Sequence, residues 1–238
     1  MTGSPDARLL VPSRFNGPPG SANGGYVAGL LAAHLGTEGP VRVTLREPPP
    51  LEVPMVVLTE NGVTTASFGG AVIATAEPGE LGDPEDPVPF DVAAQAESRY
   101  AGLGAHPFPG CFVCGPDRPA GDGLGLRPGR VGEDPADPVA TTWVPHPSLA
   151  GPDGSVPPEL VWAALDCPGG WSSDLVARPM VLGRMTAAVQ ARPAVGERCV
   201  VVGRVLGTDG RKTFTASTAY DSDRRVLGHA ESTWIALR

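Results

Sequence analysis

The feature that most constrains this fold is an apolar segment, residues 156–171, that carries a single aspartate, Asp166. Apolar residues fill almost every position from 160 to 165, which predicts a helix buried on all sides. Pro168 and the glycines that follow it are predicted to end this helix. A buried carboxylate is costly unless other groups partner it, and such positions are often functional. We therefore expect the rest of the chain to surround this helix and to face Asp166.

Composition excludes several classes of partner. The chain has 238 residues and a formal net charge of −8, with no run of lysine or arginine, so a surface for nucleic acid or anionic membrane is not expected. No apolar stretch reaches the ~20 residues of a membrane span. The N-terminus lacks the charged and apolar regions of a signal peptide. These features predict a cytoplasmic protein, in which the four cysteines are not a disulfide framework.

The first third of the chain reads as one helix followed by strands. Asn23-Gly24-Gly25 opens an apolar helix that ends at Gly36. Asn61-Gly62 is a strong hairpin signal between two alternating runs. The predicted elements are a helix at 26–35 and strands at 41–45, 51–58, 63–68 and 71–76.

The same order recurs after an acidic, proline-rich segment at 77–89, which predicts a linker followed by a short helix at 91–100. The second set comprises a strand at 139–144, the Asp166 helix, and strands at 184–191, 197–206, 212–220 and 226–237. We interpret the chain as an internal duplication. The predicted units are 1–80, a linker with a short helix at 81–106, and 107–238 with a Cys-x2-Cys segment near its start.

This repeated unit resembles the hotdog fold, in which an antiparallel sheet wraps around a central helix. The resemblance implies an α+β double hotdog, with two antiparallel sheets that form a pseudo-dimer. Asn23-Gly24-Gly25 is similar to the His-Gly-Gly helix start of phenylacetyl-CoA-type and 4-hydroxybenzoyl-CoA-type thioesterases, and Asp166 resembles their acidic residue. The segment from Cys111 to Leu126 is similar to one that precedes the hotdog unit in some thioesterase-like proteins.

The resemblance implies an acyl-CoA or acyl-carrier thioester hydrolase. The amides of Gly24 and Gly25 would hold the thioester carbonyl at the positive end of a helix, and Asp166 would attack it or activate water. Asn23 stands where the family usually has histidine, and it can still cap the helix. Asn16 and Trp162 are the predicted substrate-binding residues. This scheme requires no metal and no cofactor.

The duplication predicts one complete site rather than two. The first half has the glycine helix start, but the position equivalent to the acid is Ala32. The second half has the acid, but its helix starts at Pro157-Pro158, and proline has no N–H to donate. We expect the site built from these prolines and Ala32 to be inert or remodelled. Because one chain supplies both halves, a homodimer of such chains is optional.

Three alternatives remain open from the sequence. Cys111-x2-Cys114 has the spacing of half a zinc site with His106 nearby, but Cys167 and His146 are distant in sequence, so buried thiols are favoured. His146 ahead of the Asp166 helix is similar to the His and acid pair of hotdog β-hydroxyacyl dehydratases, which would make the protein a dehydratase or hydratase. A non-catalytic acyl-thioester-binding protein is the third.

Overall fold

The structure, a computed structural model, describes residues 7–237. Its α-helices are α1 (Gly24–Leu35), α2 (Phe90–Ala96) and α3 (Pro158–Trp171). Its strands are β1 (Ala7–Leu9), β2 (Val41–Leu45), β3 (Met55–Glu60), β4 (Val63–Phe68), β5 (Ala71–Pro78), β6 (Gly129–Arg130), β7 (Val139–Trp143), β8 (Met180–Val189), β9 (Cys199–Asp209), β10 (Lys212–Tyr220) and β11 (Val226–Ala236). Short 3-10 turns occur at Ser13–Phe15, Glu97–Arg99, Ala101–Leu103 and Pro147–Leu149.

The strands form a single antiparallel sheet of 11 strands, in the order β1-β3-β4-β5-β2-β8-β11-β10-β9-β7-β6. Apolar residues alternate along β2, where Val41 and Val43 are buried and Arg42 is half-buried. This period of two places one face of the strand on the core. The Asn61-Gly62 turn joins β3 to β4 with both residues at positive φ, as the hairpin signal predicted.

The two halves of the sheet meet at β2 and β8. Val41 pairs with Ala187 and Thr44 with Arg184, and the Arg184 Nε donates to the Thr44 hydroxyl at 3.1 Å. The expectation of two separate sheets is corrected by this pairing. Without this pairing, β2 and β8 would each have an unpaired edge. Their pairing satisfies the backbone N–H and C=O groups that both edges would otherwise expose.

The two long helices lie against each other and pack on the sheet. α1 packs on β2 to β5, and α3 packs on β7 to β11. Gly25 and Gly29, four residues apart, share one face of α1 and approach α3 closely. A Cβ atom on Gly29 would lie 2.6 Å from the Glu159 Cα, so only glycine permits this separation of the helices.

The helix that carries Asp166 runs further than the sequence predicted. α3 begins with Pro158 in its first turn, where proline is tolerated, and continues through Pro168 to Trp171. Gly169 and Gly170 do not end it. A Cβ atom on Gly170 would lie 2.8 Å from the Trp234 ring, so close packing on the sheet explains this glycine better than helix termination does.

The segment between the halves contacts strands β9, β10 and β11 of the second half. Residues 79–89 form no helix or strand, but the Glu85 carboxylate pairs with Arg204 at 2.6 Å. α2 then packs on β7 and β9, which matches the short helix predicted at 91–100, except that its second half is 3-10 turns. No helix within residues 7–237 has the length and apolarity needed to cross a bilayer.

Candidate active site

The N-terminus of α1 is fixed by Asn23. Its Oδ1 accepts the Tyr26 N–H at 2.9 Å, which caps the helix, and its own N–H donates to the Phe15 carbonyl at 2.8 Å. Asn23 is 3% exposed. The sequence folds this way because Asn satisfies an amide of the first helical turn and the glycines that follow leave room for α3.

Asp166 of α3 lies directly against this helix start. Its Oδ2 accepts the Asn23 Nδ2 at 2.9 Å and the Gly25 N–H at 3.0 Å, although the residues come from opposite halves of the chain. Asp166 is 2% exposed, and burial raises its pKa to about 7, while the hydrogen bonds from Gly25 and Asn23 act to lower it. The second oxygen, Oδ1, has no hydrogen-bond partner within residues 7–237.

The two glycine amides have different partners. The Gly25 N–H donates to Asp166. The expectation that both amides hold the thioester carbonyl is therefore corrected for Gly25. The Gly24 N–H has no hydrogen-bond partner in the described part of the chain, and Gly24 lines the adjacent cavity. A free amide at the first turn of a helix suits a developing negative charge.

A cavity of about 440 Å³ opens beside Asp166, between the start of α1, the end of α3 and strands β8 and β11. Its polar wall includes Asn23 and Asp166. Its apolar wall includes Leu45, Met180, Leu182, Trp171 and Trp234. This volume, with few polar groups in an apolar lining, is typical of small-molecule sites.

Two predicted substrate-binding residues lie elsewhere. Trp162 is 5% exposed and packs against Gly29 at the contact of the two helices, away from the cavity. Its bulk fills the gap that Gly29 leaves. Asn16 holds the loop before α1: its Nδ2 donates to the Gly110 carbonyl at 3.0 Å, and its Oδ1 accepts from Arg118. Neither residue lines the cavity.

Trp171 and Trp234 line the cavity. The indole N–H of Trp234 is buried with no partner in the described residues.

Three cysteines form part of the cavity wall. The Sγ atoms of Cys111, Cys114 and Cys167 lie within 4.8 Å of one another, and all three thiols are free and buried. His106 also lines the cavity, with its Nε2 3.4 Å from the Cys114 Sγ. Burial lowers the pKa of His106.

His146 does not reach this site. It caps the 3-10 turn Pro147–Leu149, where its Nδ1 accepts the Ser148 N–H at 3.1 Å, and it lines a second cavity of about 310 Å³. A hotdog dehydratase would need this imidazole and Asp166 in one pocket. The alternative that pairs His146 with Asp166 is therefore wrong, because the chain before α3 holds the histidine at a separate cavity.

Comparisons with known proteins identify the fold. No protein-family model and no curated protein matches the chain. A conserved protein of unknown function with a hotdog fold from Alicyclobacillus acidocaldarius is 14% identical, with a TM-score of 0.59 over 97% of this chain and 92% of that one. The tesB protein of Mycobacterium avium subs paratuberculosis is 13% identical, with a TM-score of 0.61 over 97% and 93%.

A candidate thioesterase from Novosphingobium aromaticivorans is also 13% identical, with a TM-score of 0.63 over 97% of this chain and 95% of that one. Each likeness extends over both halves and the segment between them. The chain therefore has the hotdog fold, as the resemblance predicted. Identities of 13–14% establish the fold alone.

Asn23→Asp is expected to destabilise the protein by about 2 kcal/mol, because it keeps the helix cap but replaces the donor to Asp166 with a second carboxylate. Urea unfolding at pH 7.5 measures the change. Asn61→Asp, the same change in an exposed turn, is the control and should shift the unfolding free energy by under about 0.5 kcal/mol. Equal effects of the two changes would contradict the role of the Asn23–Asp166 bond.

Proposed function

We propose that the protein hydrolyses acyl thioesters of coenzyme A or of an acyl carrier, at one composite site between two hotdog halves. The observation that supports this most is the contact between Asp166 of one half and the α1 N-terminus of the other, at the wall of an apolar cavity. Asn23 and Gly25 orient the carboxylate through Oδ2 and leave Oδ1 without a partner. Asp166 and Gly24, whose helix amide is free, therefore line one small cavity.

Each group then has a chemical role. The Gly24 N–H receives the thioester oxygen and stabilises the negative charge that develops when the carbonyl is attacked. Asp166 Oδ1 removes a proton from the attacking water, or attacks the carbonyl itself to give an anhydride that water then opens. The C–S bond breaks and the thiolate leaves, taking a proton from solvent or from Asp166. Asn23, which stands where related thioesterases usually have histidine, positions Asp166.

The cavity lining suggests how the substrate lies. The acyl group fits the apolar side, against Trp171, Trp234 and Met180, rather than near Trp162. The two solved relatives described as tesB and as a candidate thioesterase are consistent with a thioester substrate. In this proposal, units 1–80 and 107–238 form the pseudo-dimer around one working site. The second, pseudo-symmetric site lacks both an N–H donor and an acid, because it would be built from Pro157-Pro158 and Ala32.

The test is release of free thiol from short-chain, aromatic and long-chain acyl-CoAs, and from the same acyl groups on a carrier protein. Saturable hydrolysis of one class by the wild type supports the proposal and names the acyl group. The assay needs folded protein, checked by a cooperative thermal transition. Saturable binding of an acyl-CoA with no thiol release would overturn it in favour of a non-catalytic binding protein.

Arg46 is the guanidinium that lines the cavity in the described part of the chain, and it is exposed. If it contacts a phosphate of the carrier arm, Arg46→Ala should raise KM about two- to fivefold and leave kcat nearly unchanged. Arg42→Ala is the matched control, because Arg42 is a partly exposed arginine nearby in sequence that pairs with Glu77 outside the cavity. A KM equal to that of the control would place the phosphates elsewhere.

A further inference from the structure

The cysteine cluster combines residues that are far apart in sequence. Cys111 and Cys114 come from the loop after α2, and Cys167 comes from α3. Their three sulfurs lie within 4.8 Å of one another, and the Sγ atoms of Cys111 and Cys167 are 3.8 Å apart. A disulfide joins sulfurs at about 2.05 Å, so these thiols are not bonded to each other. The proposed hydrolysis uses none of them.

The separation of the sulfurs matches a shared metal ion. Two thiolates bound to one tetrahedral zinc at about 2.3 Å each lie about 3.8 Å apart. That is the distance between the sulfurs of Cys111 and Cys167. The spacing Cys-x2-Cys is typical of zinc ligands, and α3 presents the third sulfur to the same point. Sequence reasoning set zinc aside because Cys167 is 56 residues from Cys111, a gap that the fold closes.

Two N–H groups lie against the Cys114 sulfur, as donors do around metal-bound thiolates. The Trp171 Nε1–H donates to the Cys114 Sγ at 3.3 Å. The Phe108 N–H donates to His106 Nδ1 at 2.8 Å, so Nδ1 is an acceptor and the ring proton lies on Nε2, 3.4 Å from the same sulfur. Donors of this kind orient ligands and stabilise their negative charge.

The same arrangement identifies which groups are not ligands. His106 Nε2 carries a proton while Nδ1 accepts from Phe108, so this ring donates to a sulfur rather than to a metal. The described residues contain no fourth His, Cys, Asp or Glu atom within the 4.8 Å cluster. A tetrahedral ion would therefore keep one position for water or for a donor from a molecule in the cavity, which all three cysteines line.

We propose that Cys111, Cys114 and Cys167 bind one Zn²⁺ ion as three thiolates in the wall of the cavity. Binding releases the three thiol protons to solvent and oxidises nothing. Thiolate ligands favour zinc over magnesium or calcium, which prefer oxygen. The ion ties the loop that carries Cys111 and Cys114 to α3, which fixes the cavity wall beside Trp171.

The test uses the full chain, purified with a thiol reductant and without chelators. Elemental analysis should find one zinc per chain. Exchange with Co²⁺ should give the near-ultraviolet band of thiolate-to-cobalt charge transfer and the strong visible bands of a tetrahedral ion. Cys111→Ser and Cys167→Ser should each lose these bands and most of the bound zinc. Cys199→Ser is the matched control and should keep both, because Cys199 is also buried but lies outside the cluster.

His106→Gln should retain the metal, since the imidazole is a donor to Cys114 and not a ligand. Loss of the ion in this variant would overturn the three-thiolate assignment. If the serine variants do not fold, the cobalt spectrum of the wild type still decides, because the charge-transfer band requires sulfur ligands. Fully reduced wild type that binds neither zinc nor cobalt would overturn the proposal. These readouts measure metal and not hydrolysis, so they stand or fall separately from the proposed activity.

Discussion

Asp166→Asn is expected to lower the rate of thioester hydrolysis at least about a hundredfold while the protein stays folded. Asparagine has the shape of aspartate, and its amide oxygen can accept the hydrogen bonds from Asn23 and Gly25. It cannot take a proton from water or attack a carbonyl. The free energy of unfolding is not expected to fall, because burial disfavours the carboxylate that the substitution removes. Thiol release at saturating substrate, with urea unfolding of the same sample, measures both quantities.

The control for this variant is Asp209→Asn, an equal loss of charge at the exposed turn between β9 and β10. It should match the wild type in rate and in stability. If Asp166→Asn hydrolyses thioesters as fast as the control, Asp166 only holds the two helices together, and the catalytic groups lie elsewhere.

Gly25→Ala should affect both stability and activity. Its Cβ atom would lie 2.6 Å from the Asp166 Cβ and 2.7 Å from the Trp162 carbonyl oxygen, which are separations that real side chains do not adopt. The two helices must move apart, at an expected cost of about 3 kcal/mol. The gain of up to about 1 kcal/mol from alanine in a helix does not offset this. The same movement breaks the Gly25–Asp166 hydrogen bond, so activity should fall at least about tenfold.

Gly24→Ala is the comparison variant for stability, because it makes the same change one residue earlier. The added Cβ meets chiefly the side chains of Leu45 and Leu182, whose methyl groups can rotate away. The unfolding free energy should change by less than about 1 kcal/mol. Equal destabilisation by the two alanines, measured by urea unfolding, would show that the approach of α3 to Gly25 does not determine stability.

Much of the fold followed from local patterns. Alternation along 41–45 and 63–68, and the Asn61-Gly62 turn, predicted strands that the structure contains at the same bounds. The end of α3 did not follow, because Pro168 and the glycines after it usually stop a helix. Here Gly170 is needed for contact with Trp234, a residue more than 60 positions away. The pairing of β2 with β8 could not be predicted either, because the local sequence of a strand does not indicate which strand lies beside it.

The candidate site shows the same division. The duplication placed Asn23, Gly24, Gly25 and Asp166 together, and the structure brings these four residues to one point. Trp162 was misplaced because an apolar helix does not reveal which of its faces meets another helix and which meets a cavity. The hydrogen bond from the Gly25 amide to Asp166 was also hidden, since it depends on a distance of 3.0 Å across the two halves.

The pairing of β2 with β8 has a consequence for how the chain reaches its native state. During synthesis the first half emerges long before residue 180, so β2 keeps an open edge and α1 lacks its partner helix until then. The contact between Asn23 and Asp166 closes a loop of 143 residues, which is entropically slow to form. The pairing of Val41 with Ala187 closes a similarly long loop, so we expect the contacts that join the two halves, at β2 with β8 and at the candidate site, to form late on refolding.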